Sequence, residues 1–142
     1  MSESDARRIA EFLRTRETMG SDWGIEIEEA RDGYARIAVT VGEQMLNGYG
    51  TAHGGALFTL ADMAFAYACN SHGVQTVAHA ASISFLSPAR PGDRLIAEAQ
   101  EVMMSGRSST CAITVRTIDG RDIASFHGLS RTVGGAILTP DE

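Results

Sequence analysis

The spacing of apolar and polar positions divides the chain into a helical lead, a strand pair, one long apolar segment and four further strands. Residues 4–19 place Ile9, Phe12 and Leu13 at helical intervals among alternating acids and arginines. That spacing predicts a weakly amphipathic helix capped by Ser2 or Ser4 and stopped by Gly20. From Trp23 the period drops to two. Ile25 and Ile27 alternate with Glu26 and Glu28, Arg31-Asp32-Gly33 reads as a turn, and Ala35, Ile37, Val39 and Val41 alternate with Arg36, Ala38 and Thr40; together they predict a β-hairpin. A helix is expected from 54 to about 72. After Gly73 the pattern predicts strands over 75–86, 93–104, 107–118 and 121–133, separated by a connection at 87–92 and by the Ser105-Gly106 and Asp119-Gly120 turns. In the third of these, Cys111, Ile113 and Val115 alternate with Thr110, Thr114 and Arg116, as in a half-buried strand. Residues 134–142 read as a frayed tail.

Strands joined by short turns cannot make parallel crossovers, so the order implies an α+β fold with an antiparallel sheet. The central segment is apolar on nearly every face and needs cover on more than one side. A curved sheet wrapped around it would supply that cover. At 142 residues the chain fits a single domain, 1–142, with no internal linker or repeat.

Composition narrows the function. The formal net charge of −6 argues against nucleic acid as a partner, because phosphate binding needs concentrated positive charge. All 12 basic residues are arginine, which excludes a lysine nucleophile or Schiff base. Cys69 and Cys111 lie far apart in apolar contexts and suit buried, reduced thiols, so the compartment implied is the cytosol. The start of the chain carries no signal-peptide pattern. The longest apolar run, 56–69, is too short for a membrane span and has Asp62 near its middle. No membrane association is expected.

Chemistry concentrates between Asn47 and Cys69. Four glycines, Asn47 and His53 fall within nine residues, followed by an apolar helix holding one carboxylate, Asp62. The run Asn47-Gly48-x-Gly50-x-x-His53-Gly54-Gly55, then Leu60-Ala61-Asp62, resembles the hotdog-fold acyl-CoA thioesterases, most closely those of the phenylacetic acid degradation (PaaI) type. The likeness continues through residues 64–71 and into Phe85-Leu86-x-Pro88. It implies a curved antiparallel sheet around one central helix, hydrolysis of phenylacetyl- or hydroxyphenylacetyl-CoA type thioesters, and a homodimer that forms the active sites, further paired into a homotetramer. No cofactor or metal is implied beyond the coenzyme A of the substrate. The resemblance makes Asp62 the general base or nucleophile and gives Asn47 and His53 orienting roles. It places Gly55 and Phe58 on the substrate side, and Arg90, Arg107 and Ser108 beside the nucleotide. Some relatives carry a serine or threonine where this chain has Ala78-His79-Ala80.

The residues themselves agree with much of this. Gly54 stands where a loop enters a helix, so its N–H is a free donor at the positive end of the helix dipole, suited to an oxyanion. Asp62 lies eight residues on, about 12 Å along the axis at 1.5 Å per residue. One carbonyl cannot reach both, so a shared site requires two subunits around a two-fold axis. The bland readings are an ordinary core for Phe58, Met63, Phe65 and Tyr67, structural roles for His72, His79 and His127, and solvated surface for Arg90 and Arg107. Rival functions are a thioesterase for hydroxybenzoyl-, dihydroxynaphthoyl- or medium-chain acyl-CoA, and a non-catalytic acyl-CoA-binding protein.

Overall fold

A computed structural model describes residues 3–138. Helix α1 (Glu3–Arg16) leads to the hairpin β1 (Glu26–Arg31) and β2 (Tyr34–Thr40), a single 3-10 turn at Glu43–Met45, and the central helix α2 (Gly54–Cys69). Four strands follow: β3 (Val74–Phe85), β4 (Arg94–Ser105), β5 (Ser108–Thr117) and β6 (Asp122–Ala136). They form one six-stranded sheet in the order β1-β2-β4-β5-β6-β3, every neighbouring pair antiparallel. The sheet packs against α2, which buries Leu60, Ala61, Ala64, Phe65, Tyr67 and Ala68 almost completely. Opposite them lie Ile37, Val39, Leu95, Ala97, Ile113, Val115 and Phe126 in one core. The α+β hotdog architecture expected from the strand pattern is the one observed.

Three boundaries differ from the sequence reading. Helix α1 ends at Arg16 rather than residue 19, and Glu17 turns its N–H back onto the Leu13 and Arg14 carbonyls. Ser4 lies inside the helix, and Ser2 lies outside the described residues. Helix α2 stops at Cys69 because Asn70 intervenes: its side-chain amide donates to the Ala66 and Thr76 carbonyls at 2.8 and 3.1 Å, and its Oδ1 accepts from Thr76 N–H at 2.9 Å. That side chain ties the helix end to the start of β3. The expected tail is corrected furthest: Gly134–Ala136 belong to β6, pairing with Gln75 and Val74, and Ile137 donates to the Gly73 carbonyl at 3.0 Å and is buried. Glycines at 134 and 135, both at positive φ, let the strand bend to continue that pairing. Residues 139–142 lie outside the described residues.

Candidate active site

The loop before α2 is built by Asn47. Its Oδ1 accepts from the N–H groups of Tyr49 (2.9 Å) and Thr51 (3.2 Å), and its amide donates to Thr51 Oγ1 at 3.0 Å. The Asn47 N–H donates to the Thr51 carbonyl at 2.8 Å, and Gly50, at φ 81, closes the turn. An Asx side chain that replaces backbone partners in this way shapes a loop. Ala52 N–H reaches the Ala89 carbonyl at 2.8 Å, bracing the loop against the β3–β4 connection.

The amides that enter the helix are allotted one by one. His53 is the N-cap; its N–H donates to the Met45 carbonyl at 2.7 Å, and its Nδ1 accepts from Gly55 N–H at 2.8 Å. Ala56 and Leu57 both donate to the His53 carbonyl. Among the described residues, that leaves the Gly54 N–H without a partner. It opens onto a cleft of about 370 Å³ lined by Asn47, Ala52, Gly54, Leu57, Phe85 and Pro88 among others. A side chain on Gly54 would meet the Phe85 ring, since a Cβ there would sit 3.0 Å from Phe85 Cζ. The geometry is that of an anion-accepting amide at the positive end of a helix, with no side chain in the way.

Phe85 is a site residue that residue-by-residue reading passes over. It projects from β3 with Ala81 and Ile83, whose register partners Gly128 and Phe126 are buried in the core. The alternation Ala81, Ile83, Phe85 is the signal that would have placed it on the helix side.

Asp62 lies on the half-buried strip of α2 with Phe58, Thr59 and Ala66. Its carboxylate makes no hydrogen bond or ion pair among the described residues. Burial alone holds its proton affinity above the ordinary carboxylate value, as desolvation of an unpaired charge must. Gly54 and Asp62 share one continuous helix, so the separation of about 12 Å along its axis stands.

Phe58 packs edge-on against Phe126, ring centroids 5.1 Å apart, and joins the margin of the core. A Cβ on Gly55 would press on His53 Nδ1 at 3.2 Å. Arg90 is exposed in the β3–β4 connection, next to the Ala89 carbonyl that braces the loop. Arg107 and Ser108 border a different cavity of about 160 Å³, at the far end of α2, with Cys69, His72 and Glu101. One protomer does not bring Arg90 and Arg107 together. His72 Nε2 lies 2.7 Å from Glu101 Oε1, and Ser109 Oγ donates to Glu101 Oε2 at 3.0 Å. Both cysteines are buried free thiols pushed up to about 12, mainly by desolvation. No cluster of three or more His, Cys, Asp or Glu side chains among the described residues could hold a metal ion, and no helix there is long and apolar enough to cross a membrane.

Residues 49–124 match the Thioesterase superfamily, and the chain belongs to it: a hotdog-fold thioester hydrolase. Within that class it is similar to the acyl-coenzyme A thioesterase PaaI of Escherichia coli, with 44% identity over 114 residues that cover 80% of this chain and 81% of the relative. The structure of the E. coli PaaI protein, from the phenylacetic acid degradation operon, superposes with a TM-score of 0.91, covering 96% of this chain and 99% of that one. A variant of the phenylacetic acid degradation protein PaaI of Thermus thermophilus is 33% identical, with a TM-score of 0.78 over 82% of this chain and all of the other. A thioesterase protein of Streptococcus pneumoniae solved with coenzyme A is 28% identical, with a TM-score of 0.77 over 80% of this chain and 91% of that one.

Proposed function

We propose that the protein is a homodimeric acyl-CoA thioesterase acting on phenylacetyl-CoA or its hydroxylated forms. The observation that carries this reading is the pair of unsatisfied groups on α2, the Gly54 N–H facing a cleft and the Asp62 carboxylate about 12 Å further along the axis. In a dimer, Gly54 of one protomer holds the thioester carbonyl and receives its developing oxyanion. Asp62 of the other takes a proton from water as the water oxygen bonds to the carbonyl carbon. Collapse breaks the carbon–sulfur bond, and the proton passes to the departing thiolate. A carboxylate whose proton affinity burial raises suits the base role. Single-turnover hydrolysis in ¹⁸O-water tests it against direct attack: label in Asp62 would reveal an anhydride hydrolysed at the aspartyl carbonyl, and a hydroxylamine trap would reveal one opened at the acyl carbonyl.

The substrate class is supported by the E. coli and T. thermophilus relatives and by the coenzyme A held by the S. pneumoniae relative. That last protein was also crystallised with an aspartate and with a threonine changed to alanine. His53 and Asn47 serve by holding the loop, since their acceptor atoms are spent on Gly55, Tyr49 and Thr51. Arg90 and Arg107 contact one nucleotide only if drawn from different protomers, and the cytosol is the compartment that fits two reduced thiols.

Two variants test the shared site. Gly54→Pro deletes the donor N–H at a position where a helix tolerates proline, and His53 at φ −62, ψ 141 already suits the residue before one; the ring it introduces also crowds Phe85, with a Cβ 3.0 Å from Phe85 Cζ, so the heterodimer rescue rather than the single loss carries the test. Asp62→Asn deletes the base. Each alone is expected to lose about 10²–10³-fold in kcat. Mixed and re-equilibrated, they form heterodimers with one intact site each, and activity returns to roughly a quarter of wild type. A mixture as inactive as its components refutes the shared site.

A further inference from the structure

The cleft onto which the Gly54 N–H opens has a chemical character of its own. Of the side chains that line it, only Asn47 and Ser87 are polar. Both are engaged: Asn47 Oδ1 accepts from the N–H groups of Tyr49 and Thr51, and Ser87 Oγ donates to the Asp122 carbonyl. Backbone donors along the walls are committed as well. Asn47 N–H goes to the Thr51 carbonyl, Ala52 to Ala89, Leu57 to His53, and Leu86 and Ser87 both to Ile123. The Pro88 carbonyl accepts from Arg121 at 2.6 Å. Beside the Gly54 N–H, what faces the cleft is then chiefly hydrocarbon.

Phe85 is the largest group in that wall. Its backbone is fixed at the end of β3, paired with Ala124. A Cβ built on Gly54 would lie 3.0 Å from Phe85 Cζ and 3.5 Å from both Cε atoms. The ring therefore turns its tip to the start of the helix and leaves its sides open, and the residue is 56% exposed. Among the described residues it takes part in no ring-to-ring contact; Phe58 and Phe65 are paired with Phe126 instead. An open aromatic face stands next to the donor for the thioester oxygen.

A thioester carbonyl held on the Gly54 N–H has two arms, the acyl group and the thiol with its pantetheine chain. The pantetheine chain carries amide groups, and a cleft whose polar groups are already spent would leave them without partners. An arylacetyl group has none to satisfy. We propose that Phe85 is a specificity-determining residue whose open face receives the aromatic ring of an arylacetyl group, so that this cleft is the acyl side of the site. The inference rests on the reading of Gly54 as the partner of the thioester carbonyl. A single methylene joins the substrate ring to that carbonyl, which brings it to Phe85 at the separation of roughly 4.5–7 Å at which aromatic pairs attract. A saturated ring of the same size gains burial there without that attraction.

The test is the ratio of kcat/KM for phenylacetyl-CoA to that for cyclohexylacetyl-CoA in the intact oligomer. Phe85→Leu keeps an apolar wall and removes the ring, and is expected to lower this ratio by about three- to tenfold. If Phe85→Leu does not fold, Phe85→Met is read in the same way. A merely structural role, or a ring lying along the thiol arm, slows both substrates equally; an unchanged ratio overturns the proposal. Wild-type protein that leaves phenylacetyl-CoA intact defeats the substrate reading and this one together. Wild-type protein that hydrolyses it, with an unmoved Phe85→Leu ratio, defeats only this inference.

Discussion

The two edges of the sheet are built on opposite plans. Strand β1 is six residues long, bulged between Ile27 and Glu29, and carries Glu26, Glu28, Glu29 and Arg31. Helix α1 lies against it, and Arg7 donates to the free carbonyls of Ile27 and Glu28 at 2.9 and 3.3 Å. Strand β3 is twelve residues long, has no Asp, Glu or Arg, and is exposed along most of its length. A short, twisted, charged and covered edge resists strand addition, whereas a long, neutral, open one invites it. The difference makes β3 the edge through which the proposed dimer would pair.

The largest expected effect comes from making the second edge like the first. Arginines at Ala80 and Ser82 would set like charges against each other in a dimer paired through β3. Dissociation in sedimentation, with a concentration-dependent loss of kcat/KM of about 100-fold or more, is the expected outcome. A stable, active dimer would remove β3 from the interface.

A smaller effect concerns stability. Burial raises the proton affinity of Asp62 above the ordinary 3.8, so the fold favours the protonated form. That contribution is complete below the ordinary value and is lost as pH rises through the raised one. At neutral pH the charged carboxylate is a cost, and Asp62→Asn is expected to stabilise the fold by up to about 1 kcal/mol, discounted because the group is half exposed. In denaturant titrations the gain shrinks as pH falls toward 4. If the gain appears only in the oligomer, pairing through β3 completes the burial of this group.

The smallest effect tests the guarded edge. Arg7→Ala uncovers two β1 carbonyls and breaks the pair with Glu11 at 3.0 Å, all at the surface. A loss of about 1 kcal/mol or less is expected, with oligomer size and turnover unaltered. New association through β1 would show that Arg7 blocks this edge.

Much of this was legible in the pattern. Period-two runs and turn signals located every strand, and the eight residues between Gly54 and Asp62 are the spacing on which the proposed division of the site between subunits rests. What escaped depended on distant partners. Glu17 leaves its helix for Tyr67, fifty positions away, and no local propensity encodes that contact. Gly134 and Gly135 have the composition of a tail, yet the pairing of Gly134 with Gln75 and of Ala136 with Val74 carries them into the strand. Asn47 reads as an orienting residue, and what its side chain orients, its own loop through the N–H groups of Tyr49 and Thr51, is visible only in the fold. Arg90 and Arg107 both suit a phosphate, and only the topology separates them to opposite ends of α2.

The two cysteines have a last consequence, and it is a matter of self-inflicted damage. A thioester hydrolase handles activated acyl groups at close range, and any thiolate of its own could capture one by exchange. With pKa values pushed up to about 12, Cys69 and Cys111 are ionised in about one molecule in 10⁵ at pH 7. Both are also buried. The fold therefore keeps its two soft nucleophiles protonated and chemically silent.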